Sequence, residues 1–162
     1  MRLQVVVCLS LLLAGCGYHL AGQGRGAIPE DVHAVALIAT SEDARQLLPV
    51  LRNKLLGSAR DIVPVGPGEA DTELRLQRIR ETFTPIEFDA SGVAVTYRLG
   101  LTGSLSLWRG DKAIWESGSI HTQGDVYVVG DPASTEALRA RMRQDLQKKW
   151  VQEAWRALTS GF

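Results

Sequence analysis

"VAVTYRLGLTGSLSLW", residues 93–108, keeps a two-residue beat almost without a break. Val93, Val95, Tyr97, Leu99, Leu101, Leu105 and Leu107 fall on one parity, and Ala94, Thr96, Arg98, Gly100, Thr102, Ser104 and Ser106 on the other. Successive side chains of a strand point to opposite faces, so this pattern predicts one long strand, apolar on one side and polar on the other. One side of its sheet must be covered. Residues 72–87 read as a preceding strand, turning at Asp89-Ala90-Ser91-Gly92, and Arg109-Gly110-Asp111-Lys112 makes a tight turn into a further strand over 113–129. The Arg-Gly-Asp at that turn also spells an adhesion tripeptide, but a hairpin accounts for it, because turns select glycine and aspartate for their backbone angles.

Further out, "VHAVALIA" (32–39) is a short, nearly continuous apolar run, as expected for a strand buried on both faces. Thr40-Ser41 and Glu42-Asp43 signal a helix start, and Leu47, Leu48, Leu51 and Leu55 recur at helical spacing up to Gly57. An interior proline is costly, so Pro49 predicts that the regular helix begins near it. Ile62-Val63-Pro64-Val65 and the residues after it read as a turn-rich passage. Asp131-Pro132 opens a closing helix on which Leu138, Met142, Leu146, Trp150, Ala154 and Leu158 step by four towards Gly161. The predicted order is β-α-β-β-β-α: a single α+β domain over 31–162, a two-layer sandwich with a four-stranded sheet and two helices packed on one face. The other face of the sheet is left open.

The amino terminus carries a different message. Met1-Arg2, the apolar run Val5–Leu13 and the small pair Ala14-Gly15 have the three regions of a secretory signal, and the run is too short to span a bilayer. Leu13-Ala14-Gly15-Cys16 has the form of a lipobox, which makes Cys16 the expected lipidation site. Residues 1–15 would be removed, and 16–30 would form a glycine-rich lipidated leader. Gly17 stands where an aspartate would retain the product at the inner membrane, so the outer membrane is the expected destination. With Cys8 cleaved and Cys16 acylated, no thiol remains for a disulfide. Acidic and basic residues are equal in number, 18 each, which disfavours nucleic acid as a partner.

No catalytic constellation emerges. His19, His33 and His121 are scattered, with no pair at metal-ligand spacing, and there is neither a nucleophile elbow nor a phosphate-binding glycine loop. The expectation is a protein without enzymatic activity, metal or cofactor.

The lipobox followed by Cys16-Gly17-Tyr18-His19-Leu20, an Ile28-Pro29 turn into a short strand, a helix, three meandering strands and a terminal helix resembles the LPS-assembly lipoprotein family, LptE. The resemblance implies a plug inside the LptD β-barrel that helps the barrel assemble and binds lipopolysaccharide. Family members carry basic residues at the hairpin tip and before the last helix. Here the tip reads Phe88-Asp89-Ala90-Ser91-Gly92, and 129–136 contains no Lys or Arg.

The lipopolysaccharide site is therefore read from the sheet itself. With the first hairpin closing at Ala90, Phe83 faces Tyr97 and Ile79 faces Leu101 on the covered side, which places Arg78, Arg80 and Arg98 on the open side. Their guanidinium groups could fork onto phosphate. Leu74 and Leu76 share the parity of Arg78 and Arg80, which asks for a bulge or another register near that end. With Gly110-Asp111 as the tip of the second hairpin, Leu107 faces Ile114 and Leu101 faces Ile120. Trp108 and Trp115 then lie together on the open face as an expected partner interface. The competing function is a stand-alone periplasmic lipoprotein that carries an amphiphile, which would need an apolar cavity where a plug needs a solid core.

Overall fold

The computed structural model describes residues 26–59, 61–128 and 130–160. Its elements are β1 (Ala34–Ala39), α1 (Glu42–Leu56), β2 (Val63–Val65), β3 (Thr72–Phe88), β4 (Ala94–Arg109), β5 (Lys112–Glu116), β6 (Ile120–Tyr127) and α2 (Pro132–Ser160). The sheet has six strands where four were expected. Its order is β2-β1-β3-β4, with β5 and β6 both paired to β4. β1 runs parallel to β2 and β3, so α1 is a crossover, and every pairing from β3 onward is antiparallel.

Both extra strands come from short interruptions. β2 is only three residues long and contains Pro64, which an edge strand tolerates and a periodicity count overlooks. The stretch 113–129 is broken at Ser117-Gly118-Ser119, where Gly118 takes φ 69°. There the Ser117 N–H donates to Leu105 O (2.9 Å) and the Leu105 N–H donates to Ser117 Oγ (3.0 Å), so a hydroxyl stands in for one rung of the ladder.

Both helices pack on one face and share a single core. Leu47, Leu51 and Leu55 of α1 and Leu146, Trp150, Val151, Ala154 and Leu158 of α2 meet Leu74, Leu76, Leu99, Leu101, Leu105 and Leu107 of the sheet. Trp150 is fully buried, and its Nε1–H donates to Ile120 O (3.2 Å), which settles the polar atom that so large a ring carries inside. In β1 Val35, Ala36 and Leu37 are all buried, as the continuous apolar run requires.

Helix α1 begins earlier than Pro49 suggests. Ser41 is its N-cap, accepting from the Ala44 N–H (3.2 Å), and Pro49 lies inside the helix at an exposed position. The apolar faces on either side of Pro49 both reach the core, and their burial outweighs the missing hydrogen bond. At α2 the Asp131 carboxylate accepts from the N–H groups of Ala133 (2.9 Å) and Ser134 (3.1 Å). These bonds, led by that of Ser134, hold the Asp131 carboxyl below its ordinary value. Only the second half of α2 is buried. Its first half runs out beside the long β3–β4 hairpin, where Leu138 remains 39% exposed. At about 3.3 Å per residue β3 spans roughly 55 Å, well past the core.

Candidate functional site

The open face owes its composition to a bulge. Gln77 pairs with Ser104 and Arg80 with Thr102, so Arg78 and Ile79 together oppose Gly103. Leu74 and Leu76 face the helices before the bulge, and Ile79, Glu81 and Phe83 face them after it. The shared parity of the leucines and arginines is thereby resolved. Arg78 takes a left-handed φ of 54°, and Gly103 opposite leaves room for the buried Ile79 side chain, whose Cδ1 would have to move if a Cβ were added there.

All three expected arginines lie on the open side, but they are not equivalent. Arg98 forks onto Asp125 across the β4–β6 pair, Nε to Oδ1 at 2.8 Å and Nη2 to Oδ2 at 3.1 Å. That hydrogen-bonded pair lowers the Asp125 carboxyl and raises Arg98. Arg78 donates to Ser104 Oγ (2.9 Å) and pairs with Glu116 of β5. Arg80 is exposed, and among the described residues no carboxylate pairs with it. Beside it Thr102 Oγ1 lies 2.8 Å from His121 Nδ1. Nearer the base, Arg75 lies over the Trp108 ring at 4.1 Å, and Trp108 Nε1–H donates to Ser106 Oγ (2.9 Å). The side chains above them leave Ser104 and Ser106 buried on a face that no helix covers.

The two tryptophans do not share that face. Arg109 pairs with Lys112 and Trp108 with Ala113, as the tight turn predicts, but Leu107 pairs with Trp115. One extra residue, Ile114, is inserted at that point, and a one-residue slip sends every later side chain to the opposite face. Trp115 therefore packs partly buried against the core, and Ile114 is 39% exposed. Ile120 keeps its buried place, but opposite Gly103 and not Leu101. Cys16 lies outside the described residues.

A second cluster on the helix side is absent from the sequence expectations. Glu81 accepts from Arg143 (Nε 2.6 Å, Nη2 2.9 Å) and from Arg139 Nη2 (3.2 Å). Burial alone would raise this carboxyl, and the hydrogen bonds and charges of Arg143 and Arg139 outweigh it, holding Glu81 below its ordinary value. Arg139 lies 4.3 Å over Phe83, which stacks on Tyr97 at 4.6 Å. The signal was available: Arg139 and Arg143 are one helical turn apart, and Glu81 shares the parity of Phe83. Next to this cluster runs a groove of about 310 Å³ between the distal hairpin and the start of α2, lined by Phe83, Tyr97, Val128, Pro132 and Arg139 among others. Beyond it the hairpin end exposes Ile86, Phe88 and Val93, and β6 ends in exposed Tyr127, with exposed Val128 just after it.

At the opposite end of the sheet a hollow of about 740 Å³ is bordered by Asp31, His33, Glu69, Asp71 and Arg109 together with Val32, Ala34 and Ala70, a mixed lining. Arg109 Nη2 reaches Asp31 there at 3.1 Å. Among the described residues no helix is long and apolar enough to cross a membrane, and no three His, Cys, Asp or Glu side chains gather as a metal set.

No known family profile and no curated protein sequence matches the chain. Solved structures do. A lipoprotein B from Nitrosomonas europaea superposes with a TM-score of 0.60 at 14% identity, covering 89% of this chain and 91% of its own. A minor lipoprotein from Acinetobacter baumannii gives 0.62 at 12% identity, covering 82% and 94%. The rare lipoprotein B from Shewanella oneidensis gives 0.53 at 18% identity, covering 78% and 92%. At such identities the likeness carries the fold, one that this chain shares with bacterial lipoproteins over most of its length.

Proposed function

We propose that the chain is an outer-membrane lipoprotein, tethered through Cys16, that plugs and helps assemble an LptD-type β-barrel and binds lipopolysaccharide during its insertion into the outer leaflet. The observation that carries this reading is the uncovered face of the long β3–β4 hairpin, polar along most of its length apart from Trp108 near its base and with most of its charges paired. The lumen of a membrane barrel is likewise polar, so such a face can lie against it while stranding little apolar surface. The leucine-filled layer between helices and sheet is solid where a plug must be solid. The hairpin, at roughly 55 Å, exceeds the hydrocarbon thickness of about 30 Å and so has the length to bridge a barrel from one rim to the other. The lipobox and the Cys16-Gly17-Tyr18-His19-Leu20 motif support the tether and the resemblance, and the fold shared with bacterial lipoproteins supports both.

Within this reading Arg80 is the guanidinium free to meet a phosphate of lipopolysaccharide, whereas Arg78 and Arg98 would first have to leave a carboxylate. The test is purification of the full lipidated protein from detergent-solubilised outer membrane. Stoichiometric co-elution of a large barrel protein is expected. A lone monomer would favour the stand-alone amphiphile carrier instead, with the distal groove beside Phe83 and Tyr97 as its site. Mass spectrometry of the mature amino terminus should find acyl groups on Cys16, and their absence would remove the tether.

A further inference from the structure

β6 is an edge: β4 lies on one side, and among the described residues no strand lies on the other. The Val128 N–H donates to Val95 O (2.9 Å). In an antiparallel ladder, residues that bond to the neighbouring strand alternate with residues whose main chain points away. Counting back from Val128 through a register without shifts, Val126, Gly124, Thr122 and Ile120 face β4, and Tyr127, Asp125, Gln123 and His121 turn N–H and C=O outward. No hydrogen bond among the described residues uses these outward main-chain groups.

Other free edges of the sheet are blunted. β2 has three residues and Pro64, β5 has five residues bounded by Lys112 and Glu116, and β3 beyond Leu76, where its pairing with β1 ends, carries the bulge at Arg78, the charges of Arg80, Glu81 and Glu87, and Pro85. Short length, proline and charge are the usual defences of an edge. β6 has eight residues without proline, lysine or arginine, and its single acid, Asp125, is held by Arg98. We propose that the β6 edge is a strand-addition site, which accepts an extended segment of a partner polypeptide and continues the sheet. Donors and acceptors repeating every two residues are matched by an extended polypeptide backbone and not by a sugar, a lipid or a phosphate.

The occupant is a different protein and not a second copy. A pairing of two eight-residue strands alone falls short of the roughly 1,200 Å² that stable interfaces bury. A partner that also meets the open face supplies the remaining area, and the exposed side chains of His121, Gln123 and Tyr127 join that face to the edge. Resting on the function proposed above, the partner is the barrel polypeptide. A closed barrel has no free strand edge, so the added segment lies outside its closed wall.

Amide hydrogen exchange of the full mature protein, free and in the co-purified complex, tests this. The amides of His121, Gln123, Asp125 and Tyr127 should slow at least tenfold in the complex, while those of Thr122 and Val126, already paired to β4, should hold their rates. A photo-crosslinking residue at position 123 should map to one segment of the barrel protein. Gln123→Pro, which removes an outward donor and leaves the β4 ladder intact, should lower barrel capture severalfold with an unchanged circular dichroism spectrum. A complex that forms while those four amides exchange as in the free protein overturns the edge site and leaves the plug standing. If no barrel co-purifies, the plug and the edge site fall together. Protection that comes with a doubled mass and no barrel gives the edge to a second copy and also overturns the proposal.

Discussion

Glu81 shows how one side chain can fix the position of a helix. It sits on the covered face of β3 and takes both Arg139 and Arg143, one turn apart on α2, with its side chain 21% exposed and theirs 29% and 27%. Glu81→Gln keeps the shape and removes the charge, so Arg143 loses its carboxylate and Arg139 keeps only Glu136 at 3.6 Å. Hydrogen bonds to charged groups are worth about 1.5–3 kcal/mol at their strongest, and partial exposure reduces this to a loss of about 1–2 kcal/mol. A urea titration should read the loss as a lower midpoint at unchanged slope. The pH dependence has a definite sign. The folded Glu81 carboxyl lies below its ordinary 4.5, so its contribution is complete above that value and fades as pH falls through the lowered folded one. The wild-type protein should therefore lose stability more steeply below about pH 4.5 than Glu81→Gln does, and parallel acid profiles would show that the cluster carries no charge linkage.

Long periodic elements were legible in the sequence, and single-residue irregularities decided the rest. The alternation over 93–108 gave β4 and its buried face, and the leucine and tryptophan spacing gave α2. Leu74 and Leu76 even announced the bulge at Arg78. The insertion at Ile114 gave no such warning: Ile114 and Trp115 are both large and apolar, so neither parity is preferred, and only pairing with Leu107 chooses between them. The arginine faces were legible from parity, but their carboxylate partners belong to strands whose register was still open. Pro49 misled for an energetic reason, since local cost argued for a late start while Leu47, Leu51 and Leu55 bury a continuous stripe across it. That conflict can be measured. Pro49 is exposed, and Pro49→Ala returns an N–H to the helix ladder and improves propensity, so it should stabilise the protein by about 1–3 kcal/mol in thermal or urea unfolding. A destabilised variant would mean that Pro49 serves a contact outside the helix.

For the whole molecule, the two faces divide stability from recognition. The covered face carries the core and the open face carries side chains whose removal the fold can survive, so substitutions on the two should separate in experiment. Arg80→Ser should weaken lipopolysaccharide binding severalfold with an unchanged circular dichroism spectrum, and Arg98→Ser should weaken it less, because the Arg98 guanidinium is already spent on Asp125. Unchanged binding after Arg80→Ser would return Arg80 to the role of a solvated charge. The tryptophans make the sharper comparison, since the slip at Ile114 placed one on each face. Trp115 packs on the core, and Trp115→Ser removes apolar area worth about 2 kcal/mol, so it should lower the stability of the isolated protein. Trp108 is held on the open face by Arg75 and Ser106. Trp108→Ser gives up a partly exposed cation–π contact of about 0.5–1 kcal/mol and should leave unfolding nearly unchanged. If the open face meets the barrel, Trp108 is the aromatic anchor there, and its truncation should reduce barrel capture by at least tenfold, the scale of a loss of about 2 kcal/mol at an interface. Trp115→Ser, measured where it remains folded, should capture the barrel normally. The reverse pattern, with Trp108 needed for stability and Trp115 for capture, would mean that the barrel lies against the helix side and that the open face is turned to the periplasm.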